Sequence, residues 1–331
     1  MGRISDESGK VYRNLGELVK AYGLPNAGGQ IYDRLRKNGV VSYYGHTITD
    51  LNAVQPMQPA QDPIMERLRE RYTPEELELI ARGEGIKKSF IPFPDIHLTG
   101  EHHRVLVMSD THIGSVYSPY EWHDVVSAYA NDPENDIECI LHLGDLTEGM
   151  KVARLGTQIY ELSDIGFEAQ KARAVELMGK YERPIYVISG NHDGFFMENA
   201  GIDIVKATAA ELPNMTYIGS NSADIEIGGA IIRLFHGGDG SSYALSYRLQ
   251  KLIEGINGGN KPAILMAGHT HKYCSVFERN IFAVSCPAMQ AQTKWMEGKR
   301  LAAHTGFLVL DFDTKDGNVC NFSVKMFPFY K

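Results

Sequence analysis

Nowhere in the 331 residues does an apolar run approach the length of a membrane span. The first residues lack the apolar core of a signal peptide. "MGRISD" misses the myristoylation pattern, because Asp6 stands where Ser or Thr is required. A cytoplasmic protein with no membrane attachment is expected. Cysteine is sparse: Cys139, Cys274, Cys286 and Cys320 are scattered, with no C-x-x-C pair. That spacing argues against a zinc ribbon or a disulfide framework and leaves buried, reduced thiols as the expectation. An excess of basic charge is also missing. The formal net charge of -8 excludes a uniformly basic nucleic-acid coat but is silent about a local patch.

What is present falls into three stretches: 1–52, 53–102 and 103–331. In the first, "NLGELVKAYGL" spaces Leu15, Leu18, Val19 and Tyr22 as a helix does. "PNAGG" breaks that pattern, and "QIYDRLRKNG" restores it with Ile31, Leu35 and a closing Gly39. "VVSYYGHTITD" then alternates around Gly45 as a hairpin would. Two helices and a hairpin have the layout of a small winged-helix-like domain. Up to Asp50 the balance of Lys and Arg over Asp and Glu is about +2, leaving about -10 for the remainder. Arg34, Arg36 and Lys37 lie on the second helix, where a DNA reader would carry them. A protein-interaction module with a solvated basic face is the other reading.

"AVQPMQPAQDP" at 53–63 reads as a linker, and "TPEE" at 73–76 as a capping box. From 103 onward the pattern becomes α/β. Apolar runs at 104–109, 137–144, 184–190, 231–237 and 262–268 alternate with helical stretches, and Gly228-Gly229 marks a hairpin. The tail is mostly strand. A mixed sheet is expected, as two packed sheets with helices outside.

Each of the five runs ends in a chemically active residue. They deliver Asp110 and His112, then Asp145, then Asn191 with His192, then His236, then His269 and His271. Ligands of α/β sheets gather beyond the carboxyl ends of strands, so the groups are expected at one edge. Asp110, His112, Asp145, Asn191, His236, His269 and His271 are too many for one tetrahedral ion and suit two. Imidazole and oxygen donors without thiolate fit Mn, Fe or Zn. Asp145, alone on its turn, is the expected bridge.

The order D-x-H, G-D, G-N-H-D, H, G-H-x-H resembles the calcineurin-like metallophosphoesterase superfamily. The "SDTHIGS" opening and winged-helix-like start are similar to a microbial and viral branch. That branch is related in its catalytic domain to DNA-repair nucleases and archaeal polymerase small subunits. The resemblance implies a two-sheet β-sandwich flanked by helices. It implies one metal on Asp110, His112, Asp145 and His271, and a second on Asp145, Asn191, His236 and His269. His192 would face the substrate, with Gly190 and Gly194 allowing the sharp turn that separates it from Asn191. Asp193 would brace that turn. The implied reaction is phosphodiester hydrolysis in DNA or nucleotides, with a metal-bound hydroxide attacking and His192 assisting the leaving group.

Protein-phosphatase relatives carry G-D-x-x-D-R-G, whereas this chain reads "GDLTEG". Glu148 stands where an acid orients the catalytic His, and Gly149 where an Arg holds phosphate. The missing Arg counts against a phosphoprotein phosphatase. Alternatives are a small-substrate phosphomonoesterase or cyclic-nucleotide phosphodiesterase, and a DNA-binding regulator with an inert domain. Ser241 and Ser242 are read as helix caps or as neighbours of a phosphate site. Phe195 and Phe196 are read as core or as base-stacking groups, and Lys151 and Arg154 as phosphate contacts or a solvated face.

Overall fold

The computed structural model describes residues 3–26, 29–51, 96–240, 244–257, 259 and 261–330. The 53–63 linker, the 73–76 capping box, Ser241 and Ser242 lie outside the described residues. The chain divides into two compact units, 1–87 and 88–331.

In the first unit, helix α1 (Leu15–Ala21) starts at Asn14, whose side chain accepts from the Glu17 N–H at 3.0 Å. Glu17 in return accepts from the Arg13 N–H, so donors free at the helix start find partners. Helix α2 (Gly29–Asn38) ends at Gly39, whose φ of +73° is left-handed. The expected hairpin is present as β3 (Val40–Tyr43) and β4 (His46–Asp50). A second pair, β1 (Ile4–Ser5) and β2 (Val11–Tyr12), extends the sheet to the order β2-β1-β4-β3. Leu15, Leu18, Val19 and Leu35 bury against Ile4 and Ile48. Asp6, in the β1–β2 turn, is buried. It accepts from Ser8, the Lys10 N–H and the hydroxyls of Tyr12 and Tyr22. Those donors hold its carboxyl well below the ordinary range.

Among the described residues, the second unit is a sandwich of two six-stranded sheets. One sheet contains β6 (His102–Met108), β7 (Cys139–His142), β8 (Ile185–Ser189) and β9 (Met215–Ser220), all parallel. β15 (Gly306–Lys315) pairs antiparallel to β6, and β16 (Asn318–Pro328) pairs antiparallel to β15. The other sheet contains β10 (Ser222–Ile227) and β11 (Ala230–Phe235), joined by the expected Gly228-Gly229 turn with φ of +58° and +78°. β12 (Ile264–Ala267) and β14 (Ile281–Ser285) continue it in parallel, with β13 (Cys274–Glu278) antiparallel at the edge. The opposite edge is a two-residue strand, β5 (His97–Leu98).

Alternation along β6 shows why its run is continuously apolar. Val105 and Val107 point between the sheets, toward Ile232, Leu234, Ile264 and Met266. Leu106 and Met108 point outward to Val126, Ala174 and Leu177 of the helices Glu121–Asn131 and Phe167–Met178. A strand covered on both faces needs both sets of side chains apolar. On the far side, Leu249 and Ile253 of the helix Tyr247–Glu254 cover Leu265 and Ala283. The layers therefore run helix, sheet, sheet, helix. Among the cysteines, Cys139 and Cys286 are buried as expected. Cys320 is exposed instead, because it lies on the outermost strand, β16.

Candidate metal centre

The five residue-bearing runs do not share one sheet edge. β6, β7 and β8 belong to one sheet, and β11 and β12 to the other. Their carboxyl ends meet at the same end of the sandwich, so the two sheets face their polar termini toward each other.

There the chain forms three groups whose nitrogen and oxygen atoms lie within 4.8 Å of one another: Asp110–His112–His271, Asp145–His236–His269, and His112–Glu148–His192. In the first, Nε2 of His112 and Nε2 of His271 are 3.2 Å apart. Asp110 Oδ1 is 3.3 Å from the His271 nitrogen and 3.9 Å from that of His112. In the second, His236 Nε2 lies 3.0 Å from Asp145 Oδ2 and 3.1 Å from Asn191 Oδ1. Asp145 Oδ2 is also 3.7 Å from His112 Nε2, which puts this carboxylate between the two groups. All seven residues expected as ligands are thus gathered at one place.

Facing lone-pair atoms are the feature that tests the fit to a cation. Without an ion, one of the two Nε2 atoms must donate to the other. With one, both can act as lone-pair donors. The set is nitrogen and oxygen with no sulfur, suited to Mn, Fe or Zn.

The third group has a different geometry. His192 Nδ1 donates to the backbone carbonyl of Glu148 at 2.9 Å, which leaves Nε2 free. Its side chain is 30% exposed, the opening a substrate-facing group needs. Glu148 is not a solvated loop acid but is 8% exposed. Its carboxylate is 3.0 Å from His112 Nδ1 and 3.5 Å from His192 Nδ1, so it braces two imidazoles. The His112 approach is close but off the N–H axis, because that nitrogen makes no aligned hydrogen bond. A carboxylate behind a metal-facing imidazole is a common outer arrangement of metal sites.

Electrostatics follow from burial. Asp110 and Asp145 are almost fully buried, which by itself opposes ionisation. The imidazoles of His271 and His236 outweigh this and hold both carboxyls below the usual range. Burial likewise opposes charging of His236 and His192, but Asp145 raises the first to about 9, and Glu148 with Asp145 the second to about 10. Bound cations would act against these rises.

Asp193 braces the turn. Its carboxylate accepts from the N–H groups of Gly190, Leu146 and Thr147 and from the Thr147 hydroxyl. The glycines act differently from the expectation. Gly190 is not left-handed. It is glycine because a Cβ there would meet Asp145 Oδ1 at 2.2 Å. Gly194 opens the helix Gly194–Ala200 with nothing near its missing side chain. Phe195 and Phe196 are buried. Gln290 joins the site without any motif to announce it. It is buried, and its amide donates to Glu148 at 3.2 Å and to Ser115 at 3.1 Å. Only its place in the loop after β14 distinguishes it in sequence.

Residues 104–287 match the Calcineurin-like phosphoesterase superfamily domain, a span that contains all seven gathered residues and His192. The chain belongs to this superfamily. Superfamily members depend on metal, in keeping with the clustered Asp, His and Glu. The chain is 24% identical over 263 residues to the DNA polymerase II small subunit of Archaeoglobus fulgidus, an alignment covering 66% of this chain and 54% of that subunit. It thus spans about half the length of that curated relative. Among solved structures it is similar to an archaeal phosphodiesterase (14% identity, 68% of this chain and 99% of that one, TM-score 0.38). It is also similar to the E. coli phosphoesterase Yfce (14% identity, 66% and 98%, TM-score 0.37). No helix among the described residues is long and apolar enough to cross a membrane.

Gly149 leaves no room for a side chain. A Cβ there would sit 2.1 Å from the His192 carbonyl oxygen, at a φ of +67° that disfavours side chains. Gly149→Arg is therefore expected to displace the His192 turn and destabilise the protein by about 1–3 kcal/mol or more. It should confer no phosphopeptide activity. Thermal denaturation and a phosphoserine-peptide assay measure both.

Proposed function

We propose that the protein is a binuclear metal-dependent phosphodiesterase acting on DNA or nucleotides. The observation that carries the reading is the pair of ligand clusters sharing Asp145, with His192 beside them held by Nδ1 and open at Nε2. Asp110, His112, Asp145 and His271 would hold one divalent cation, and Asp145, Asn191, His236 and His269 the other, Mn before Fe or Zn. When bound, such a pair supplies Lewis acidity to phosphoryl oxygens and acidifies a water.

The chain's own residues do the remaining work. Glu148 and its carbonyl fix the His192 ring, so that Nε2 can hold a proton toward the departing oxygen. Glu148 is a positioning residue for His112 and His192. Gly149, with no room for a phosphate-holding Arg, favours diester over phosphoprotein substrates. In the first unit, the exposed Arg34, Arg36 and Lys37 on α2 would contact DNA phosphates. The nucleic-acid link is supported by the likeness to a polymerase small subunit.

Cleavage of bis(p-nitrophenyl) phosphate by the manganese-loaded chain is the direct test, with plasmid and single-stranded DNA as polymeric substrates. His192→Ala should keep its bound metal yet lose about 10²–10⁴ in rate. Undiminished turnover would remove the assigned role. Glu148→Gln should lower the rate less, because the carbonyl that holds His192 remains.

Replacing Arg34, Arg36 and Lys37 together by Gln should weaken DNA binding across sequences. On duplex, the slope of affinity against salt should shrink by about 0.9 for each phosphate no longer neutralised. Filter binding over a salt series measures it, and an unchanged slope would assign the face to a protein partner.

A further inference from the structure

A surface lip beside the metal centre takes no part in that reaction. Residues 150–160, "MKVARLGTQIY", carry Lys151 and Arg154 between the flanking acids Glu148 and Glu161, in a chain of net charge -8. They form short helical turns at Val152–Arg154, Leu155–Gln158 and Ile159–Glu161.

The lip is fastened to the catalytic groups at one end. Buried Gln158 accepts from the Lys151 N–H at 2.9 Å and reaches the Glu148 carboxylate at 3.4 Å. At the other end Val116 N–H donates to the Glu161 carbonyl at 2.9 Å. The backbone is therefore held against the site while its outward side chains stay free. Tyr160 is 84% exposed and Val152 65%. Neither Lys151 nor Arg154 makes an ion pair among the described residues. Lys151 Nζ instead lies 4.9 Å from the Phe195 ring centre, and that ring is 5.0 Å from the His192 ring. An ammonium without a carboxylate partner thus stands one ring away from the leaving-group histidine.

Two cations without ion pairs and an exposed aromatic ring, all carried by residues 151–160 of a segment fastened to the site, match the chemistry that binds single-stranded nucleic acid: charge tracks the backbone and rings stack on bases. We infer that residues 151–160 form a binding lip for single-stranded nucleic acid. Lys151 and Arg154 take backbone phosphates, and Tyr160 stacks a base. This deepens the phosphodiesterase reading, on which it rests, by naming the substrate as a single strand that extends past the scissile phosphate.

The test is fluorescence anisotropy of a labelled oligo-dT with the full chain in EDTA, where no cleavage occurs. All measurements use the Arg34→Gln, Arg36→Gln, Lys37→Gln background, so that the first unit cannot mask a loss. Tyr160→Ala is expected to weaken single-strand binding about 5- to 100-fold. Lys151→Gln with Arg154→Gln should lower the single-strand salt slope by about 1.4. Binding of a duplex of the same sequence should fall less than single-strand binding in each case. Tyr160 is on the surface, so its variant folds. A parent chain that fails to bind, unchanged affinity in the variants, or an equal loss for duplex would overturn the inference. Parallel cleavage of bis(p-nitrophenyl) phosphate separates the two readings. Cleavage without variant-sensitive binding sinks the lip alone, and variant-sensitive binding without cleavage sinks the hydrolase reading alone.

Discussion

Two carboxylates, Asp110 and Asp145, are held almost out of water within reach of four imidazoles, and the sandwich is arranged around that concentration of charge. Like charges so close are costly to bury unless opposite charge and donors surround them. The fold supplies backbone donors first. The His269 N–H points at Asp110, and the His192 N–H at Asp145 at 2.7 Å. Supplying them bends the chain into an unusual shape. Asp110, His112, Asp145, His269 and His271 all have left-handed backbones, with φ of 52°, 44°, 50°, 79° and 54° respectively. Each such residue costs on the order of 1 kcal/mol or more, and strain of this kind gathers at functional sites. A divalent cation in each cluster would offset both the repulsion and the strain.

The surrounding architecture follows from what those loops require. Parallel strands end at a common level, so β6, β7 and β8 place Asp110, Asp145 and Asn191 side by side. The second sheet brings His236, His269 and His271 from across the interface. Loops this crowded leave no space for side chains behind them. A Cβ on Gly268 would meet Ser109 Oγ at 2.3 Å, just as one on Gly190 would meet Asp145. Arg248 ties the two loops of the second sheet, donating to the carbonyls of His236 and Gly268 at 2.6 and 2.8 Å.

The gathered residues are legible in sequence because their signal is local: an apolar run that ends in Asp, Asn or His. Strand-end chemistry survives there even though its partners lie far away. The split of the five runs between two sheets is not legible, since apolar runs look alike whichever sheet they join. The role of Gly190 is hidden for a related reason. Its neighbour in space, Asp145, is remote in sequence, and a turn glycine invites a conformational explanation. Glu148 is legible only through the resemblance, and Gln290 not at all, because each acts through contacts with residues remote in sequence. The β1–β2 hairpin is invisible because two-residue strands carry no periodicity. Asp6, in sequence only a mismatch to a lipidation pattern, is the hydrogen-bonding hub of the first unit.

If Asp145 bridges a pair of cations, the metals should report each other's presence. Manganese titration of the metal-free protein, followed by calorimetry and electron paramagnetic resonance, tests this most directly. The expected result is two manganese ions per chain with the spectrum of a coupled pair, and loss of that coupling in Asp145→Asn. Binding of a single ion or none, or coupling that survives Asp145→Asn, would contradict it.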